Sequence, residues 1–237
     1  MLKVLLAGRV PESWLSAPRH RIRGVADLAK IARVSPASAS RFLAALDAEG
    51  YLANPAEELR LVRVGALLLA WQRSLQLPME RRYVRFLLPS DEPYRHLQKV
   101  LADRAPQRDL FAVASSASIA ARVGPKGKRA CLGLFAACRA LGVGFVRGAP
   151  IHLLCEDSSP GFLEELELAP VDHRVESELI VVRPRFPEAV FRGCVLVDGA
   201  PVADILQCWL DVSFHAARGE EQADEIAARL GFERWSQ

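Results

Sequence analysis

Ser35, Ser38, Ser40 and Arg41 crowd three hydroxyls and a guanidinium into one short stretch, a combination that bonds phosphates and base edges. Ala37, Ala44 and Ala48 share a helical face with Arg41, and side chains this small let a helix come close to a base pair. Lys30, Arg33, Arg60 and Arg63 add cations suited to phosphate contacts, which carry affinity and salt dependence more than sequence choice. The same face also suits a protein-interaction module in which the alanines are simply exposed helix positions.

Catalytic arrangements are scarcer. A restriction-type nuclease needs clustered carboxylates for a divalent metal and usually a Lys two residues after an acid. None of Lys3, Lys30, Lys99, Lys126 and Lys128 has an acid two positions earlier, and Asp198, Asp204 and Asp211 read as a turn residue, a helix cap and a solvated or hydrogen-bonded helix position. A nucleotidyltransferase needs a Gly-Ser loop followed by spaced acids, whereas Ser115, Ser116 and Ser118 have no carboxylate near them. There is no GxSxG, Walker A or HExxH motif. His152 and Cys155 have ligand-like spacing, but on a strand they point to opposite faces, and the expectation is a buried pair. Cys131 and Cys138, seven apart, are expected to share a buried helix face. With Cys155, Cys194 and Cys208 they make an odd set without a CxxC pair, which argues against a disulfide framework and a zinc ribbon.

These residues need elements to position them. Apolar spacing predicts a short helix ending at Pro11, an extended piece over 20–23, and a helix over 25–32 in which Val25, Leu28, Ala29 and Ala32 form one buried face. After the turn Arg33-Val34-Ser35, Ser35 as cap and Pro36 at the first helical position start a third helix reaching Glu49. Ala39, Phe42, Leu43 and Leu46 form its inner stripe. Gly50 stops it, and two short strands around Asn54-Pro55 form a wing. Beyond Gly65 we expect a helix over 66–77, a strand over 83–88, a helix over 91–104 capped by Asp91, a strand over 110–114 and a helix over 116–122. A basic loop, GPKGKR, over 124–129 follows, which is either a DNA or partner contact or a plain surface loop. Further expectations are a helix over 131–141, a strand over 151–155, a helix over 161–166, strands over 179–182 and 194–197, and helices over 202–215 and 220–230. Trp71, Leu206, Trp209 and Leu210 are expected in the core.

The 237 residues, 51% hydrophobic and 25% charged, can bury a sizeable core. The longest uncharged run, residues 110–121, is too short for a membrane span, which needs roughly 18 apolar residues. No signal-like segment opens the chain, so a cytoplasmic protein is expected. The net charge of +3 is uneven: residues 1–70 hold ten Lys+Arg against six Asp+Glu, net +4, and the rest is net −1.

Residues 25–52, VADLAKIARVSPASASRFLAALDAEGYL, resemble the winged helix-turn-helix of bacterial transcription regulators, notably in Leu28-Ala29, Val34-Ser35, Ser40-Arg41 and the Glu49 to Leu52 exit. Together with VGALLLAWQRSLQ (64–76), RRYVRFLLPSDEP (81–93), VDGAPVADILQCWLDV (197–212) and RGEEQADEIAARLGF (218–232), the chain is similar to the AbiEi family, antitoxins of type IV toxin–antitoxin systems. Residues 124–149 carry no motif that aligns, and Ala203-Asp204 replaces the Ser-Pro pair usual in the family. The resemblance implies an α+β protein, with an N-terminal winged helix-turn-helix DNA-binding domain over 1–64 and a mixed α/β C-terminal antitoxin-like domain over 65–237. It implies autorepression through operator inverted repeats in double-stranded DNA and opposition to a nucleotidyltransferase-like toxin, by contact or only in effect, without catalysis or a cofactor. Two other readings stay open: a regulator whose second domain senses a ligand, and a DNA-targeted nuclease.

Overall fold

The computed structural model describes residues 1–53, 58–74, 80–105, 122–123, 127–174, 177–216 and 218–232. The chain divides into two compact units: Met1–Glu12, Ala17–Gln76 and Asp224–Gln237 form the first, Ser13–Ser16 and Leu77–Ala223 the second. It is an α+β protein. The boundary expected at Gly65 falls inside a helix, because Gly65 sits in a first helical turn where no positive φ is required of it.

In the first unit, α1 (Leu2–Leu6) tightens into a 3-10 turn over Ala7–Arg9 before Pro11. Next come α2 (Val25–Ala32) and α3 (Pro36–Ala48). Leu28, Ala29 and Ala32 of α2 meet Ala39 and Leu43 of α3 in one buried cluster with Ile22, and Val25 and Phe42 pack partly buried against it. The turn between the helices is tight because Arg33 adopts left-handed φ 51° and donates its N–H to the carbonyls of Ala29 and Lys30. Val34 N–H then returns to the Ala29 carbonyl at 3.0 Å. Ser35 caps α3, its Oγ accepting the Ser38 N–H at 3.1 Å, as Pro36 at the first position allows. Gly50 leaves α3 with φ 69°, and β1 (Leu52–Ala53) pairs antiparallel with β2 (Arg60–Leu61), Leu52 facing Leu61. The expected Asn54-Pro55 turn lies outside the described residues. Helix α4 (Val64–Ser74) buries Val64, Leu67 and Leu68, while Trp71 is only half-buried.

The second unit is built on a mixed sheet. Its elements in chain order are β3 (Glu80–Phe86), α5 (Pro93–Arg104), β4 (Arg122–Val123), β5 (Lys128–Gly133), α6 (Leu134–Ala140), β6 (Ile151–Cys155), α7 (Pro160–Glu165) and β7 (Leu168–Pro170). They continue with β8 (Leu179–Arg183), α8 (Pro187–Phe191), β9 (Val195–Val197), β10 (Ala200–Val202), α9 (Ile205–Val212) and the start of α10 (Gly219–Leu230), whose residues from Asp224 on belong to the first unit. Strand order is β7-β3-β8-β6-β5-β10-β9, with β4 paired to β5. The pairs β6–β8 and β5–β10 are parallel and the others antiparallel. Central strands β5, β6 and β8 are buried on both faces, which is why they read as continuous apolar runs.

Some expectations in this unit need correction. Residues 131–141 are not one helix: Cys131 lies in β5, and the chain turns at Gly133 into α6, so Cys131 and Cys138 share no helix face. An apolar run of this kind does not distinguish strand from helix by periodicity. Asp91 does not cap α5, whose first residue is Pro93 and whose cap position is Glu92. The helix expected from 202 starts at Ile205, because Ala200–Val202 form β10 after a two-residue turn, Asp198 (φ 50°) and Gly199 (φ 81°). The expected strand over 110–114 and all but the last residue of the helix expected over 116–122 lie outside the described residues; that last residue, Arg122, is in strand β4 and not in a helix, because it pairs with Arg129 of β5. Strands β4, β7 and β10 and helix α8 are not among the expected elements; each is only two to five residues long.

Asp204 is fully buried, and its Oδ1 accepts the Gln207 N–H at 3.1 Å at the start of α9, which carries buried Leu206, Trp209 and Leu210. Asp204→Ala should therefore lower unfolding free energy by about 1–2 kcal/mol, the usual cost of losing a helix cap. Denaturant titration of the two proteins checks it; equal midpoints would show that the cap contributes nothing.

Candidate nucleic-acid interface

The face of α3 opposite its buried stripe is set by which residues the core takes. Ala39, Leu43 and Leu46 are buried, Phe42 and Ser38 are intermediate, and Ala37, Ser40, Arg41, Ala44, Ala45 and Ala48 are exposed. At 100° per residue, Ala37, Arg41, Ala44 and Ala48 fall within one narrow sector, leaving a surface of methyl groups with one guanidinium. Arg41 forms no ion pair or hydrogen bond with another described residue, so its donors face outward. Such a face admits the edge of a base pair and offers a bidentate donor. Asp47 stands exposed at the margin of the sector and opposes it electrostatically.

The neighbouring candidates surround this face. Lys30 and Arg33, at the end of α2, are exposed beside the turn into α3, and Arg60 is exposed on β2. Arg63 is exposed too, but its Nη1 donates to the Glu49 carbonyl at 3.3 Å and its guanidinium lies 5.4 Å from the centre of the Tyr51 ring. These contacts tie the end of α3 to the chain after β2 and leave the charge itself exposed. Ser35 and Ser38 are committed to the cap as well, Ser35 Oγ donating to Ser38 Oγ at 2.9 Å. Of the three serines singled out, Ser40 is the one directed outward. Arg21 and Arg23, exposed just before α2, add cations that the sequence pattern did not single out; Arg21 lies 3.9 Å from Glu58.

In the second unit, Cys131, Cys138, Cys155, Cys194 and Cys208 are all buried free thiols, and burial pushes the thiols of Cys131, Cys155 and Cys208 up. They are core groups. No cluster of three or more His, Cys, Asp or Glu among the described residues is arranged to hold a metal. Asp198 is the turn residue and Asp204 the cap expected of them, and Asp211 accepts from Gln207 Nε2 at 2.8 Å. Residues 124–126 of the basic loop lie outside the described residues, but its last two cations are not surface groups awaiting an anion. Lys128 pairs with Asp157, and Arg129 donates from Nε and Nη2 to Glu156 at 3.0 and 2.7 Å and lies 2.6 Å from Glu188. The Lys128 partner holds the Asp157 carboxyl down at about 2.

What the geometry defines is an α+β protein in which one face of α3 exposes small side chains and one guanidinium. No protein-family profile matches the chain, and no curated protein or solved structure is significantly similar to it.

His152 is buried in β6, its Nδ1 2.9 Å from the Pro150 carbonyl and its ring edge-on to His215 with centroids 5.5 Å apart. Burial holds its pKa at about 4, with His215 and Arg81 adding in the same direction. The unfolded chain therefore binds more protons than the folded one between about 6.5 and 4, and stability present above pH 6.5 is lost as pH falls through that window. The slope due to this group is at most about 1.4 kcal/mol per pH unit. His215, also lowered by burial, adds with the same sign. Unfolding titrations from pH 7 to 4.5 should show the slope shrink in His152→Gln; an unchanged slope would place the titration elsewhere.

Proposed function

We propose that the first unit binds double-stranded DNA, laying α3 in the major groove, and that the chain is a non-enzymatic autorepressor and antitoxin of the type IV class. The observation that carries the DNA reading is the outward sector of α3, where Ala37, Ala44 and Ala48 surround the exposed Arg41. Its support is physical. A major groove about 12 Å wide admits a helix, and close approach to base edges needs small side chains flanking the reader. Two helices joined by a tight turn and followed by a strand pair support the winged helix-turn-helix reading. Lys30, Arg33 and Arg60 flank the sector as phosphate contacts, and residues 1–70 carry the net +4. Arg41 and Ser40 read bases, while Arg63 positions the strand pair.

The antitoxin half of the reading rests on the resemblance of residues 64–76, 81–93, 197–212 and 218–232 to the AbiEi family. Its consequence is an operator of inverted repeats upstream of the chain's own reading frame, beside a nucleotidyltransferase-like toxin. Co-expression of the full chain with the product of such a frame should restore growth that the toxin alone arrests.

A gel-shift titration of the full chain on its own upstream DNA, at two salt concentrations and against scrambled competitor, tests the DNA half. Retention should be specific and should weaken steeply with salt. Arg41→Ala should cost about 1–3 kcal/mol on the intact operator and relax selectivity at one position. A uniform loss across all sequences would make Arg41 a phosphate contact, and no specific retention would leave this face to a protein partner.

A further inference from the structure

The second unit contains an open cleft of about 650 Å³, inside the range of about 300–1,000 Å³ usual for small-molecule sites. One side is formed by α5 and α6, where the Arg139 guanidinium lies 4.0 Å from the centre of the Tyr94 ring. The other side is the segment from Gly144 to Ile151, which brings Phe145 and Arg147. The lining holds two arginines and no carboxylate. Neither arginine pairs with an acid among the described residues. Anions with an apolar, planar part fit such a composition: guanidinium forks match phosphate oxygens, and the Tyr94 and Phe145 rings, which carry the guanidiniums of Arg139 and, at 5.3 Å, Arg218 over one face, would take a planar group on the other. The Tyr94 hydroxyl, pushed above its ordinary range chiefly by burial, stays protonated and remains a donor.

The wall carrying Phe145 is held in place from behind. Gln222 is fully buried, and its amide is spent on that wall: Nε2 donates to the Val143 carbonyl at 2.9 Å and Oε1 accepts the Phe145 N–H at 3.2 Å. A buried amide satisfied at both ends by one short loop fixes the path of that loop. The loop also runs unusually close to the end of α6. A Cβ at Gly144 would stand 2.7 Å from the Arg139 backbone nitrogen, so only glycine fits there. Gly142, at φ 72°, closes α6 with Val143 N–H bonded to the Cys138 carbonyl at 3.0 Å. These contacts hold the cleft in shape before any ligand arrives, which lowers the ordering cost of binding.

We infer that this cleft binds a nucleoside monophosphate, with the phosphate on Arg139 and Arg147 and the base stacked against Phe145 and the Tyr94 side. This site is separate from the α3 face, and neither reading depends on the other.

The test is calorimetric and thermal-shift titration of the full chain, without DNA, using AMP, GMP, CMP, UMP, adenosine and inorganic phosphate as probes. At least one mononucleotide should bind and raise Tm, more tightly than adenosine or phosphate by tenfold or more. Arg139→Ala with Arg147→Ala should weaken that binding at least tenfold. Because Arg139 also packs on Tyr94, Arg147→Glu is the second variant: Arg147 is exposed, so the fold should survive its replacement while nucleotide binding is lost. No binding of any mononucleotide at millimolar concentration overturns the inference. So does binding unchanged in Arg147→Glu, which would put the nucleotide elsewhere, or phosphate binding as well as the nucleotides, which would leave the rings without a role.

Discussion

A side chain at the last residue of β5 would collide with the Leu154 side chain of β6, and much of the second unit follows from that packing. A Cβ on Gly133 would stand 2.5 Å from Leu154 Cγ, with Gly133 opposite His152 in the register. The glycine lets the strand run to its end against β6 and turn at once into α6, through Leu134 at φ 46°. From there α6 packs against α9 and buries Phe135, Ala136, Ala137 and Cys138. Full burial of one large apolar side chain contributes about 1.5–3 kcal/mol, so a strand and a helix buried almost throughout are a large part of what holds this unit together. The end of α6 in turn fixes the Gly142 to Gly144 path and hence one wall of the cleft.

The start of β5 shows the same economy applied to charge. Arg129 is buried beneath two carboxylates, Glu156 and Glu188, with its guanidinium 5.1 Å from the Phe191 ring centre. Desolvating a guanidinium is costly, and good hydrogen-bond geometry with several acceptors is what offsets the cost. Both carboxyls are held below their ordinary range by Arg129. The cations that end the basic loop therefore serve the sheet, and an electrostatic footprint drawn from local charge density alone would have counted them twice.

The first unit follows a different logic. Its core is a small cluster of mostly short side chains between α2 and α3, and the turn joining them is specified by backbone bonds at Arg33 and Val34 and by the Ser35 cap. Since every residue of α3 taken by the core is apolar, the outward sector is left to alanine, Ser40 and Arg41. A helix with so little projecting from it can lie close to another surface, and Arg41 is the one long side chain in the sector that reaches beyond it.

Local chemistry was legible in the sequence wherever it is decided within a few residues. The Ser35-Pro36 start of α3, the Gly50 stop, the Asp198 turn, the Asp204 cap and the extent of α2 depend on hydrogen bonds and φ angles of neighbouring residues, and all stand where the pattern put them. The opposite faces of His152 and Cys155 followed from strand alternation alone. What the pattern did not contain is what distant segments decide. Residues 131–141 are apolar enough for a strand or a helix, and only pairing with β6 and β10 made the first part a strand. Lys128 and Arg129 looked like spare cations until Glu156, Asp157 and Glu188 were brought beside them. The cleft was equally invisible, because Tyr94, Arg139 and Arg147 are far apart in sequence and Gln222, which braces its wall, lies farther still. The sequence by itself determined those caps, stops and turns that are set by contacts within one turn; strand partners, the ends of elements that adjoin a paired strand, charge pairing and the cleft depend on contacts across the chain, and only the tertiary structure decided them.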